Sequence, residues 1–340
     1  MGKSEMTTQN VSANGRTAIG QQLVRWGRRP FHDIGGGLLI ALVIEIIVFW
    51  SLSPNFLTFN NITDGIGRGM VVIGIMAVGQ TIVIIAGGFD LSVGAVSAAA
   101  AITAASLSNS GAPFLVAVLG AMGVGLGVGI VNGLITGYGR INPLITTLGM
   151  LSIVRGLAQL LTGGREKVID SRTFLDLGIN DTFGIPNIVW ILFACFAFFG
   201  FLIPRTKFGR YVYAIGSNDR AARLAGVRIN RWRLVIYGAS GMLAGLAGVV
   251  TTVRLGTAAP NFNTGSELAV ITAVILGGTS LQGGKGRLLG TFFGLLFIQI
   301  LRNGLVLLSV RSFWQLIAIG TSLIAAVLYD EWRRTGLTRG

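Results

Sequence analysis

From residue 34 onward, long apolar runs alternate with short polar breaks, at 34–52, 66–86, 91–107, 114–136, 144–161, 187–203, 234–253, 266–277, 288–305 and 312–329. A helix needs about 20 mostly apolar residues to cross a bilayer, so the pattern predicts an all-α polytopic membrane protein with about ten transmembrane helices. One break departs from the rest. Gly87-Gly88-Phe89-Asp90-Leu91-Ser92-Val93-Gly94 sets two glycines, a carboxylate and a hydroxyl between the second and third runs. Lipid offers the backbone no hydrogen bonds, so an irregular stretch at that depth must be covered by protein or line a wet cavity. Transporters place their pathways at such breaks.

Composition agrees with the pattern. Of the 340 residues, 52% are hydrophobic and 12% charged, which overrides the two soluble domains that length alone suggests. A net charge of +14 raises nucleic acid as a partner, and the placement of the charges removes it. Basic residues precede the first run (Lys3, Arg16, Arg25, Arg28, Arg29), mark the Arg140 turn, and fill the loop from Arg205 to Arg233, where Asp219 is the only acid. Lys285 and Arg287 precede the ninth run, and Arg333, Arg334 and Arg339 close the chain. Counted from a cytoplasmic start, all of these fall on the cytoplasmic side, as the positive-inside rule requires. The expected organisation is a retained cytoplasmic tail at 1–33, a single transmembrane domain at 34–330 with a cytoplasmic loop at 204–233, and a cytoplasmic tail at 331–340. Cys195, the single cysteine, lies in an apolar run without a partner, and His32, the single histidine, reads as an interfacial side chain. No metal site is expected from them.

Glycines recur every four residues at Gly125, Gly129, Gly133 and Gly137, at Gly286, Gly290 and Gly294, and at Gly241 and Gly245. Such faces let helix backbones approach closely, and contact within one subunit is the favoured reading over a dimer seam. The sequence also echoes itself. Gly87-Gly88 resembles Gly277-Gly278, but two glycines are weak grounds in a chain with 51 of them. A single offset pairs Asn132-Gly133-Leu134 with Asn303-Gly304-Leu305, Arg140 with Arg311, and Gly149 with Gly320. That offset carries spans 2–5 onto 7–10, an odd shift, so the copies form an inverted repeat. A small change of offset also sets Asp90-Leu91 on Glu267-Leu268, each acid opening a span.

No energy source is visible in the chain. The nearest approach to a phosphate loop, Gly283-Gly284-Lys285-Gly286, lacks both the first glycine and the hydroxyl that the motif needs. The acids at membrane depth are Glu45, to which no function is assigned, Asp90 and Glu267. Ion-coupled carriers bury several carboxylates or histidines as relays, so coupling to a separate ATPase is the better-supported expectation, and the chain itself is not an enzyme. The segment Asp219, Arg220, Ala221, Ala222, Arg223, Leu224, Ala225, Gly226 reads as a short helix that Ser217 or Asn218 caps and Gly226 ends. Its apolar residues, Ala222 among them, are on offer to a partner groove; the alternative is a solvated connector. Candidate pathway residues are Asp90, Ser92, Asn132, Thr147, Glu267 and Asn303. An acid before a helix is also an ordinary cap, and helix-to-helix hydrogen bonding equally explains the amides and Thr147.

Several segments together resemble one family. Ile85-Ala86-Gly87-Gly88-Phe89-Asp90-Leu91-Ser92-Val93-Gly94, Val131-Asn132-Gly133-Leu134, Asn142-Pro143 through Thr147-Leu148-Gly149, Tyr213 to Gly226, and Gly277-Gly278-Thr279-Ser280-Leu281 are similar to the permease subunits of bacterial importers for ribose, xylose and galactose, of the ATP-binding-cassette (ABC) class. The resemblance implies a multi-pass subunit in the bacterial cytoplasmic (inner) membrane, paired with a second permease copy, usually as a homodimer. It also implies a cytoplasmic ABC ATPase that uses the ATP and magnesium, and a periplasmic or lipid-anchored sugar-binding protein. By the same resemblance Asp219 to Gly226 is the coupling helix that enters the ATPase. Two positions depart from the family: Ala269 stands where relatives often carry an acid, and Asp219 where many have glutamate. A branched-chain amino acid or nucleoside permease of the same superfamily, and a stand-alone ion-coupled carrier, are the competing expectations.

Overall fold

The structure, a computed structural model, describes residues 36–336. The expected tail at 1–33 and residues 337–340 lie outside the described residues. The elements in order are α1 (Gly36–Leu52), a π-helical stretch (Asn61–Arg68) running into α2 (Gly69–Ile85), α3 (Val93–Asn109), α4 (Phe114–Gly137), α5 (Pro143–Thr162), β1 (Lys167–Val168), α6 (Arg172–Ile179), β2 (Asp181–Thr182), β3 (Ile185–Pro186), α7 (Asn187–Arg205), α8 (Lys207–Ser217), α9 (Asp219–Leu224), α10 (Ile229–Leu255), β4 (Thr257–Ala258), α11 (Ser266–Leu276), α12 (Leu288–Leu307) and α13 (Ser312–Gly336). β1 pairs antiparallel with β4, and β2 with β3.

Among the described residues, 6 helices are long and apolar enough to cross a membrane, and shorter apolar helices lie at 37–52, 93–109, 266–276 and 312–328. Each corresponds to one expected run, with one informative difference. The loop at 204–233 holds two helices, α8 and α9, and α10 starts at Ile229 rather than 234. The eighth run, expected at 266–277, forms the 11 residues of α11, which at 1.5 Å per residue reach about half of a ~30 Å hydrocarbon core. The chain before α11 is irregular because Asn263 (φ 55) and Gly265 (φ 81) both take left-handed backbone.

α2 is buried from Met70 to Ile85, so a helix that is apolar all round sits at the centre of the fold rather than at its rim. α10 lies beside it, buried through most of its length. α4, α5 and α7 form an outer layer whose Leu119, Ile145, Leu160 and Phe198 are exposed, as lipid-facing side chains are. The glycine face of α4 meets α10 directly. A Cβ on Gly125 or Gly129 would collide with the carbonyl oxygens of Gly241 or Tyr237, and one on Gly133 would lie 2.7 Å from the Leu234 Cα. These glycines make an intramolecular seam, as favoured from the spacing. Gly290 and Gly294 serve α12 in the same way against Gly277 and Ala273 of α11.

The two glycine doublets share a local structure that the sequence comparison discounted. At the end of α2, Gly87 (φ 77) donates to the Ile84 carbonyl at 2.9 Å and Gly88 to the Val83 carbonyl at 2.9 Å. At the end of α11, Gly278 (φ 85) donates to Ile275 at 2.8 Å and Thr279 to Val274 at 3.2 Å. Both are left-handed helix-ending turns of the kind glycine favours. The echo is thus a repeated stop signal.

Candidate functional site

The break after α2 is sealed by α10 and α4. Asp90 is 1% exposed, and its Oδ1 accepts the Ser92 backbone N–H at 3.0 Å and the Ser92 hydroxyl at 2.6 Å. Its Oδ2 accepts the Ser240 hydroxyl of α10 at 3.0 Å. The helix-cap position of α3 belongs to Ser92, which makes no side-chain cap bond, so Asp90 acts one step earlier than an ordinary cap. It folds the break by a side-chain turn onto residue i+2 and pins it to α10. The Asn132 amide of α4 donates to Ser92 Oγ at 3.0 Å. The hydroxyls of Thr147 and Tyr237 both donate to the Phe89 carbonyl, at 3.4 and 3.2 Å. A buried polar group is tolerated when it is hydrogen-bonded, and three donors reach the Asp90 side chain here.

α11 starts beside α3. A Cβ on Gly94 would lie 2.6 Å from the Asn263 carbonyl and 2.7 Å from Glu267 Oε2, so the two helix starts touch and their positive ends converge. Glu267 Oε1 accepts the Gly265 N–H at 3.2 Å, while Oε2 is buried without a hydrogen-bond partner, as is Asn132 Oδ1. The lead-in to α11 is held on three sides. The Arg155 guanidinium of α5 donates to the carbonyls of Pro260 and Phe262 at 2.6 and 3.0 Å. The Asn263 amide donates to Ser97 Oγ at 2.8 Å and to Thr251 Oγ1 at 3.0 Å.

Asp90, Ser92, Asn132 and Thr147 therefore meet at one break, and Glu267 stands at the helix start that abuts it. Asn303 does not join them. It exchanges two hydrogen bonds of 2.9 Å with Asn61 of the π-helical stretch, a helix-to-helix contact. Sequence reasoning passed over Ser240, Tyr237 and Asn263; a lone hydroxyl or amide in an apolar run carries no periodic signal.

Beyond the break lies the α8–α9 region. The Asn218 side chain accepts the Ala221 N–H at 3.0 Å and so caps α9, and Gly226 (φ 84) ends it. Leu224 is 90% exposed, whereas Ala222 is 6% exposed. Ala222 thus packs inward and is not on offer to a partner, because one face of so short a helix must bury against its own chain. Gly216 of α8 lies against the end of α2, where a Cβ would collide with the Ile85 carbonyl. The Tyr213 hydroxyl donates to the Gly286 carbonyl at 2.6 Å; burial pushes this phenol up from its ordinary value, with the Arg287 charge opposing.

Layered apolar helices around a buried central pair, with a polar break between helix starts, define an all-α polytopic membrane protein. The chain belongs to the family described as branched-chain amino acid transport system / permease component, matched over residues 61–327. It is similar to the ribose import permease protein of Escherichia coli (strain K12), with 42% identity over 333 residues, 96% of this chain and 99% of that protein. The ribose import permease protein of Bacillus subtilis (strain 168) is 39% identical over 87% of this chain and 92% of its own. The L-arabinose transport system permease protein of Escherichia coli (strain K12) is 37% identical over 88% and 90%. No solved structure gives a significant match. The chain is a multi-pass protein of the cytoplasmic membrane.

Proposed function

We propose that this chain is the membrane subunit of an ATP-driven importer that carries a pentose or a related sugar into the cytoplasm, by alternating access at the Asp90–Ser92 break. The observation that carries the reading is the meeting of two helix starts at Gly94 and Glu267, beside the buried unpaired acceptors Glu267 Oε2 and Asn132 Oδ1. Hydroxyl-rich ligands donate to such acceptors. The relatives named for ribose and L-arabinose, similar over nearly the whole chain, support a sugar over the branched-chain amino acids of the family description.

In this reading the ten apolar helices place both chain ends in the cytoplasm, and α2–α5 and α10–α13 are inverted copies. The neighbour pattern supports the repeat: α3 packs on α4 and α5 as α11 packs on α12 and α13, and α2 meets α12 as α10 meets α4. Superposition of the two halves in opposed orientation tests it. The functional unit holds two permease copies, a cytoplasmic ATPase that binds the ATP and magnesium, and a sugar-binding protein on the outer side. Uptake by proteoliposomes that requires ATP, the ATPase and the binding protein is the expected result. Uptake by the isolated chain driven by an ion gradient would overturn it.

The exposed Leu224 is the anchor proposed for the ATPase cleft. A Leu224→Asp variant is expected to weaken ATPase association about tenfold, as loss of a buried interface anchor does, with little effect on the fold because the residue is 90% exposed. Copurification and a binding titration measure this. Unchanged binding would leave α9 as a connector only.

A further inference from the structure

Arg233 lies in the first turns of α10, within the loop that composition marks only as basic. Its Nη2 donates to Asp219 Oδ2 of α9 at 3.0 Å, and its Nη1 donates to the Thr136 carbonyl at the end of α4 at 2.9 Å. A planar guanidinium can serve two such acceptors at once in fixed directions, which an ammonium cannot. From Thr136 the connection continues inward. The Thr136 hydroxyl donates to the Asn132 carbonyl at 2.8 Å, the Asn132 amide reaches Ser92 Oγ at 3.0 Å, and Ser92 Oγ donates to Asp90 at 2.6 Å. A second tie runs beside it: the Gly284 N–H donates to the Ile85 carbonyl at 2.7 Å, where α2 ends, and Gly216 of α8 abuts both residues. The break is therefore bracketed, with α8 packed against its leading edge at α2 and α9 bound through Arg233 to the helix that seals it.

We infer that Arg233 is the positioning residue that transmits displacement of α9 to the Asp90–Ser92 break. The inference rests on the importer reading above. Asp219 also faces Arg223, but at 3.8 Å and across an exposed pair, a geometry of little strength. Among the described residues Arg220, Arg228 and Arg231 form no ion pair, so the link is particular to Arg233. α9 is too short to be a stable helix alone and moves as its anchors dictate, so a push on its exposed face passes to α4 through the guanidinium.

The test uses the full complex in proteoliposomes, with Arg233→Gln, Arg233→Lys and, as a control in the same loop, Arg231→Gln. The expected result is that Arg233→Gln keeps the ATPase bound and hydrolysing within about twofold, while the ATP consumed per sugar imported rises about tenfold. Arg233→Lys falls between, and Arg231→Gln matches wild type. Asn132→Ala, at the far end of the link, gives the same loss, and the double variant is no worse than the more severe single one. An unchanged ratio of ATP to sugar in Arg233→Gln overturns the inference and leaves the importer reading standing. Equal loss of assembly, hydrolysis and uptake also overturns it, since Arg233 would then be a strut. Absence of ATP-driven uptake in the wild type overturns the importer reading, and this inference with it.

Discussion

A Gly241→Val substitution is expected to abolish accumulation of folded protein in the membrane, and Gly129→Val to do the same from the opposite helix. Each side chain would have to occupy space held by backbone rather than by a movable side chain: the Gly125 carbonyl for position 241, the Tyr237 carbonyl for position 129. Overpacking costs roughly 1–3 kcal/mol where neighbours can shift, and a seam of two backbones lies at or above the top of that range. The control is internal to α4. Gly127 has nothing within 4 Å of a built Cβ, so Gly127→Val should accumulate normally. Detergent-solubilised yield and a thermal-stability assay read both outcomes. Equal effects at 127 and 129 would show that helix propensity, and not the seam, governs this face.

Removing the Asp90 carboxylate is expected to be the most damaging change at the break that leaves the helices in place. In Asp90→Ala the Ser92 N–H and the Ser92 and Ser240 hydroxyls lose their acceptor in a site that is 1% exposed. A buried donor left without its acceptor costs about 1–3 kcal/mol, so the break loses its fixed shape and uptake falls about tenfold or more. Asp90→Asn should retain much of the activity, because its carbonyl oxygen still accepts from Ser92 and a hydroxyl can turn to accept from the new amide. Sugar uptake alongside ATPase assembly separates these effects. If Asn is as damaging as Ala, the negative charge itself, rather than the geometry it holds, is what transport requires.

Much of the fold was legible along the chain. The apolar runs appear as helices within a few residues, the 87–94 break is irregular and covered as its composition requires, and Asn142-Pro143 opens α5 with the Asn142 side chain accepting the Leu144 N–H. The eighth run begins at Ser266 and ends at Leu276, within one residue of the stretch read from the sequence. Asn263 and Gly265 hold the backbone out of helix until Ser266. Ala222 was assigned outward because a six-residue helix rich in alanine shows no stripe that distinguishes its faces. Asn132 and Asn303 were candidates by polarity alone, with helix-to-helix hydrogen bonding the equal alternative; Asn303 makes such a bond, to Asn61, and only packing separates the two amides.

The sequence by itself determined the class of the protein, the order of its helices, the break and the glycine faces, because chain-local rules govern each of these: apolar length, breaker residues and fourfold spacing. Only the tertiary structure decided that Asp90 meets Ser240 150 positions away, that α3 and α11 start against each other, and that one arginine of a basic loop ties α9 to α4. The physical reason is the solvent. A membrane helix is apolar on every side, so no amphipathic stripe records which face turns inward. Rotation and depth are set instead by where small residues permit backbone contact and where a few polar groups find partners.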